Sequence, residues 1–197
     1  QWYEMNKATS YKEFRKALEK RSIPCSNIVY ADKDHNIFYV SNGSFPNRKT
    51  GLDWTKAVSA HSSDVLYNND IDIPFSDIPQ VLNPSCGYVF NTNNTPYSCT
   101  CSDENPTPKS HQSFSSYQPK IAENLRSRRF LELIAQYDTL TYEDFKRIKF
   151  DQTYPSSLGI PKANNLEELF SINPTEYPEI TDVLLLLNDW DRTTTPD

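Results

Sequence analysis

Hydrophobic positions along this chain change their spacing several times, and each change marks an element. Phe14, Ala17 and Leu18 share one helical face behind Ser10-Tyr11-Lys12-Glu13, where a serine followed three residues later by a glutamate forms a capping box. The helix is expected to stop before Pro24. Ahead of it, Trp2 and Tyr3 form an aromatic pair suited to packing. Two β-branched and aromatic runs follow, 28–31 and 37–40, separated by Asp32-Lys33-Asp34-His35-Asn36, and predict a hairpin with a polar turn. His35 stands where a glycine would ease positive φ, which reads as a left-handed turn residue. Residues 49–78 are polar and irregular, with Trp54, Ile71, Ile73 and Phe75 as anchors, and predict a long surface excursion.

A further strand is expected at 86–92, and 98–119 reads as loop. Ile121, Leu125, Phe130, Leu133 and Ile134 then predict a helix over 120–136. Its Arg128 and Arg129 fit a solvated basic face. Thr141 caps another helix with Phe145 and Ile148 inward. A short helix follows Asn164 and Asn165, and a last one begins at Pro178 and runs to Leu187. Its four consecutive leucines cannot share one face, so that helix is expected to be sandwiched between neighbours.

Composition narrows the function classes. The hydrophobic fraction is 37% and mean hydropathy −0.70, a lean interior for 197 residues that points to a core completed by a partner. A net charge of −6 argues against nucleic acid or an anionic membrane as partner. No apolar run approaches the roughly 18 residues of a spanning helix, and Gln1-Trp2-Tyr3-Glu4 does not read as a signal peptide. Four cysteines, Cys25, Cys86, Cys99 and Cys101, permit disulfides without assigning them. Cys99 and Cys101 stand too close for a zinc knuckle and the three histidines are dispersed, so no metal site is predicted.

Candidate chemistry centres on Asn91-Thr92-Asn93-Asn94-Thr95-Pro96, directly after the apolar Gly87-Tyr88-Val89-Phe90. Closing a strand with an Asx turn is the ordinary use of Asn before Pro. A carboxamide N–H held at such a turn is also a good donor to a developing oxyanion, because it needs no proton transfer and little reorganisation.

This hexapeptide resembles the Asn-x-Asn-Asn/Asp-Ser/Thr-Pro element of the penicillin acylase family of N-terminal nucleophile hydrolases. Three other stretches match the same family in the same order: 27–48 (NIVYADKDHNIFYVSNGSFPNR), 79–88 (PQVLNPSCGY) and Trp190-Asp191-Arg192. The resemblance implies an α+β fold, a fragment of the four-layer αββα sandwich. It makes residues 1–197 a single internal segment of the large subunit: helix, strands and loops over 1–97, loop over 98–119, mainly helix over 120–197. It implies Asn93 as oxyanion donor and Arg126 as support for nucleophile and substrate, with Trp2, Cys25 and Ser26 at the acyl pocket. Gly43-Ser44 matches a loop after the hairpin rather than the family's autocatalytic Gly-Ser cleavage site. Some members hold calcium between subunits, but Ser115 stands where the acidic ligand is expected, so no cofactor is implied.

The implied activity is hydrolysis of an acyl amide, of penicillins, acyl homoserine lactones or similar molecules. The nucleophile is an N-terminal serine with its own α-amine as base, and it is not found in this chain. The partners implied are the remainder of the large subunit, the small subunit and a small acyl amide; the location implied is periplasmic or secreted. The chain alone is expected to be inert. Two other classes stay open here: a non-catalytic acylase-like binding module, and a hydrolase using a cysteine or Ser44 with a histidine.

Overall fold

A computed structural model describes residues 1–49, 51–61, 63–66, 72–117, 123–159 and 166–194. The chain divides into two compact units, Gln1–Glu123 and Asn124–Asp197. The first carries helices α1 (Trp2–Lys7) and α2 (Tyr11–Leu18) and strands β1 (Ser26–Ala31), β2 (Ile37–Asn42) and β3 (Gln80–Leu82). The second carries helices α3 (Leu125–Ile134), α4 (Tyr142–Lys149) and α5 (Thr181–Asp189), with short 3₁₀ turns between α4 and α5.

Ser10 caps α2 as its sequence demands, its hydroxyl accepting the Glu13 N–H at 3.3 Å. The reciprocal half of the expected box sits one residue upstream: the Glu13 carboxylate accepts the Thr9 N–H at 2.8 Å and the Thr9 hydroxyl at 2.9 Å. Ala17 and Leu18 are buried, and the chain leaves the helix through Arg21 at φ +50°.

Strands β1 and β2 pair antiparallel from Ser26 opposite Asn42 to Ala31 opposite Ile37, the predicted hairpin. Asp32 organises its turn, accepting the N–H groups of Asp34 (2.9 Å) and Asn36 (3.0 Å) on one oxygen. Burial alone would raise this carboxyl's pKa, but these bonds and that from the Tyr30 hydroxyl (2.8 Å) outweigh it and hold the carboxyl down at about 2. His35 adopts φ +65°, the left-handed conformation expected of it.

The sheet's third member is not the predicted 86–92 but β3, whose Leu82 pairs with Phe38 and Gln80 with Val40. Asn83 extends that ladder, its N–H and side-chain oxygen both bonding Ile37. Strand β2 is therefore central and packed on both faces. Phe38 and Val40 join Leu18, Phe45, Ile73, Ile78, Tyr97 and Phe114 in the main core, while Tyr39 meets Val81 and Cys99 on the other side.

Other expectations are corrected by packing. Helix α1 is short and buries only Met5, so Trp2 (64% exposed) and Tyr3 are not packed within this unit. Ile73 is a core anchor, Trp54 lies under the Arg48 guanidinium, and Ile71 falls outside the described residues. The described part of the predicted helix over 120–136 begins at an Asn124 cap, whose side chain accepts the Ser127 N–H; Ile121 lies outside the described residues. On α4 the Thr141–Asp144 capping box is complete, but Phe145 faces outward, 52% exposed. Pro178 opens a 3₁₀ turn ahead of α5, on which Leu184 is buried while Leu185 and Leu186 are exposed. The residues Asn164 and Asn165, expected to precede a short helix, lie outside the described residues; a 3₁₀ helix spans Leu166–Ser171.

Leu18→Ala is expected to lower stability by about 2–5 kcal/mol, whereas Phe145→Ser should stay within about 0.5 kcal/mol of the parent. Denaturant unfolding of both variants measures the contrast.

Candidate functional site

Residues 86–101 form a loop closed by a disulfide between Cys86 and Cys101, with Asn93 near its middle. The chain turns at Gly87 (φ +76°), and the expected strand is replaced by ties within the loop. Phe90 N–H donates to the Cys99 carbonyl at 2.9 Å, and the Thr100 hydroxyl to the Tyr88 carbonyl at 2.7 Å. These bonds fold 86–92 back on its own loop rather than along an edge of the sheet.

The asparagines of the turn have separate tasks. Asn94 is buried: its side-chain oxygen accepts the Thr92 N–H (2.7 Å) and hydroxyl (3.0 Å), and its amide donates to the carbonyls of Thr95 and Ser98. Asn91 accepts the Asn93 N–H at 2.9 Å, closing an Asx turn. Asn93 sits at the apex, exposed, with φ +60°. Asparagine tolerates this conformation far better than a β-branched residue would.

From Thr95 to Thr100 every residue is buried, so the rising arm of the loop is fixed while its apex faces outward. Asn105 seals the far end, its side-chain oxygen accepting the N–H groups of Cys99 (2.7 Å) and Thr100 (3.0 Å). A backbone so thoroughly tied presents whatever its apex carries in one place.

Of the other expected site residues, Ser26 lies nearby in the fold. It opens β1, its hydroxyl donating to the Pro24 carbonyl at 2.8 Å, and its neighbour Asn27 reaches the asparagine turn. Asn27 Nδ2 donates to Asn91 Oδ1 at 3.1 Å and to the Asn94 carbonyl at 3.4 Å. Sequence reasoning passed over Asn27; the nearest signal was its place at the head of the matched stretch 27–48. Cys25 is an exposed free thiol. Trp2 is exposed on α1, and Arg126 is exposed on the first turn of α3 in the second unit.

The model of the penicillin amidase family matches residues 1–197. The chain belongs to the penicillin amidase family. Penicillin G acylase of Escherichia coli is 33% identical over 95 residues, which is 48% of this chain and 11% of that protein. The solved thermostable penicillin G acylase from Alcaligenes faecalis superposes on all of this chain and 32% of its own, with a TM-score of 0.64 at 23% identity. The chain thus spans a minor part of the relatives it matches. Its fold is an α+β fragment of the N-terminal nucleophile hydrolase sandwich.

Within this penicillin amidase chain, several of the described hydroxyls and thiols have structural partners or are buried. Cys86 and Cys101 are joined, and burial pushes the Cys99 thiol up to about 12. The Ser44 hydroxyl donates to Asp72. His111 Nδ1 bonds its neighbours Ser110 (2.8 Å) and Thr107 (3.3 Å), a local turn contact. Ser115 donates to the Gln112 carbonyl at 2.6 Å. Among the described residues no group of three His, Cys, Asp or Glu side chains could hold a metal ion, and no helix is long and apolar enough to cross a membrane.

The second unit corrects the reading of its arginines. Arg129 is not solvated: it makes a two-pronged contact with Asp151, Nε to Oδ2 at 2.8 Å and Nη2 to Oδ1 at 3.0 Å, and meets Glu132 at 3.4 Å. Arg128 lies over Gly159, where an added Cβ would come within 1.8 Å of its guanidinium. The Arg129 hydrogen bonds hold the Asp151 carboxyl below its ordinary range. For Glu132 burial acts upward, but bonds from Ser156 and Arg129 prevail and its pKa is also lowered.

Two outcomes follow. Opening the disulfide by Cys86→Ser and Cys101→Ser should cost about 3 kcal/mol, the loop-closure entropy of a 15-residue separation, measured by denaturant unfolding. Because the Asp151 and Glu132 pKa values are depressed on folding, their contribution is present above the unfolded carboxyl pKa of about 4 and lost as pH falls through the lower folded values. Unfolding midpoints should therefore fall below about pH 4, and less steeply in Asp151→Asn.

Proposed function

We propose that the protein containing this chain hydrolyses the amide bond of N-acylated small molecules, with penicillins and acyl homoserine lactones as the substrate class. The observation that carries the reading is the asparagine turn: an exposed Asn93 at the apex of a loop closed by a disulfide and tied by the carboxamides of Asn91 and Asn94. Catalysis by an N-terminal serine nucleophile, supplied by another part of the protein, creates a tetrahedral oxyanion. Asn93 donates a hydrogen bond to that oxygen, and the fixed backbone means that little reorganisation accompanies charge development. Arg126 serves substrate and nucleophile through its charge. Ser26 and Cys25, near the tie between β1 and the turn, border the acyl group, with Trp2 as a further wall. The remainder of the large subunit and the small subunit complete the site, and the protein acts in the periplasm or outside the cell. A disulfide in the loop suits that oxidising location.

The test uses the full-length protein, with intact mass to follow autocatalytic processing and a panel of acyl amides to follow amine release. Asn93→Ala should leave processing intact and lower turnover on the order of a hundred- to a thousandfold. An unprocessed, inactive protein would instead identify an acylase-like binding module.

A further inference from the structure

The asparagine turn is tied internally, yet a donor at its apex must also be held relative to the sheet on which its loop packs. Asn27 supplies such a tie. Its backbone lies in β1 opposite Ser41, within the strand pair whose other member is buried on both faces. Its neighbours Ile28 and Tyr30 turn toward the main core, which leaves Asn27 on the opposite face, shared with Tyr39 across the ladder. Cys99, inside the disulfide loop, packs on that same face against Tyr39.

One primary amide carries two N–H bonds, and Asn27 Nδ2 has two acceptors within reach, Asn91 Oδ1 at 3.1 Å and the Asn94 carbonyl at 3.4 Å. Asn91 is exposed, so its carboxamide would sample several rotamers without a partner. Pinned by Asn27, the same Asn91 oxygen accepts the Asn93 N–H at 2.9 Å and holds the left-handed backbone of Asn93. The contacts run from a rigid strand, through two carboxamides, to the apex.

We infer that Asn27 is a positioning residue for Asn93, acting through Asn91. The inference rests on Asn93 being the oxyanion donor. It touches no reacting atom; it fixes the angle at which the apex is presented.

The experiment uses the full-length processed protein and a chromogenic acyl amide that it turns over. Asn27→Ala should lower kcat about three- to tenfold, the rate equivalent of one neutral hydrogen bond, with KM within about twofold. Asn27→Asp keeps the shape but removes the donor at neutral pH. Its kcat relative to the unsubstituted protein should recover as pH falls toward about 4, where a protonated carboxyl donates again. In the Asn93→Ala background neither substitution should lower kcat further. Unchanged kcat in both Asn27 variants, or a loss that persists in full without the Asn93 side chain, would overturn the inference while leaving the oxyanion role intact. If Asn93→Ala alone costs nothing, the oxyanion reading fails and takes this one with it. Should Asn27→Ala not accumulate, the isosteric variant and its pH profile decide.

Discussion

Strand β2 has no solvent face. Phe38 and Val40 enter the main core from one side and Tyr39 the second cluster from the other, so every neighbour of the strand is constrained at once. A one-residue slip would exchange the two sets of side chains, sending Tyr39 into the main core and Phe38 and Val40 into the second cluster. Register is fixed for β1 by the same requirement, and with it the positions of Ser26 and Asn27. The ladder to β3 brings Val81 over Tyr39, and Cys99 then closes that cluster. The asparagine turn is thereby seated on the sheet by packing, before any of its polar contacts is counted.

The turn itself shows how one residue type is divided among tasks by burial. Asn94, inside, spends both ends of its carboxamide on the loop's own backbone and on Thr92. Asn91 accepts from Asn93 and from Asn27, joining loop to strand. Asn93 is left at the exposed apex. Buried polar groups must find partners, as the Asn94 carboxamide does at both of its ends. The disulfide encloses all three, so the loop's ends cannot separate even if single hydrogen bonds break.

In the second unit the order comes from helix ends and one ionic cluster. Caps at Asn124 and Thr141 start α3 and α4, and Arg129 ties α3 to Asp151 just past the end of α4. Arg192, at φ +64°, donates to the Pro155 carbonyl and lies over Phe170, while Tyr154 stacks edgewise on Trp190. The matched Trp190-Asp191-Arg192 stretch thus has a local structural task. Leu185 and Leu186, exposed on α5, fit a chain that spans only part of its relatives' length.

The chain's own pattern determined what is local. Helix starts at Ser10 and Thr141, the 28–31 and 37–40 hairpin, the left-handed His35 and the asparagine turn were legible because caps, period-2 alternation and turn residues act over a few positions. The candidate site was legible only as far as Asn93 stands in a stretch that resembles a family motif. Tertiary structure decided the rest. Val81 and Val89 stand in equally apolar runs, and only the vacant side of β2 selects the first for the sheet. Cys86 pairs with Cys101, while Cys99 lies buried with Tyr39 and Val81. Arg129 leaves the solvated face because Asp151, 22 residues later, arrives beside it. Asn27 reaches Asn91 across 64 residues. Contacts at such separations depend on which surfaces the whole chain brings together, and no spacing within a short window encodes them.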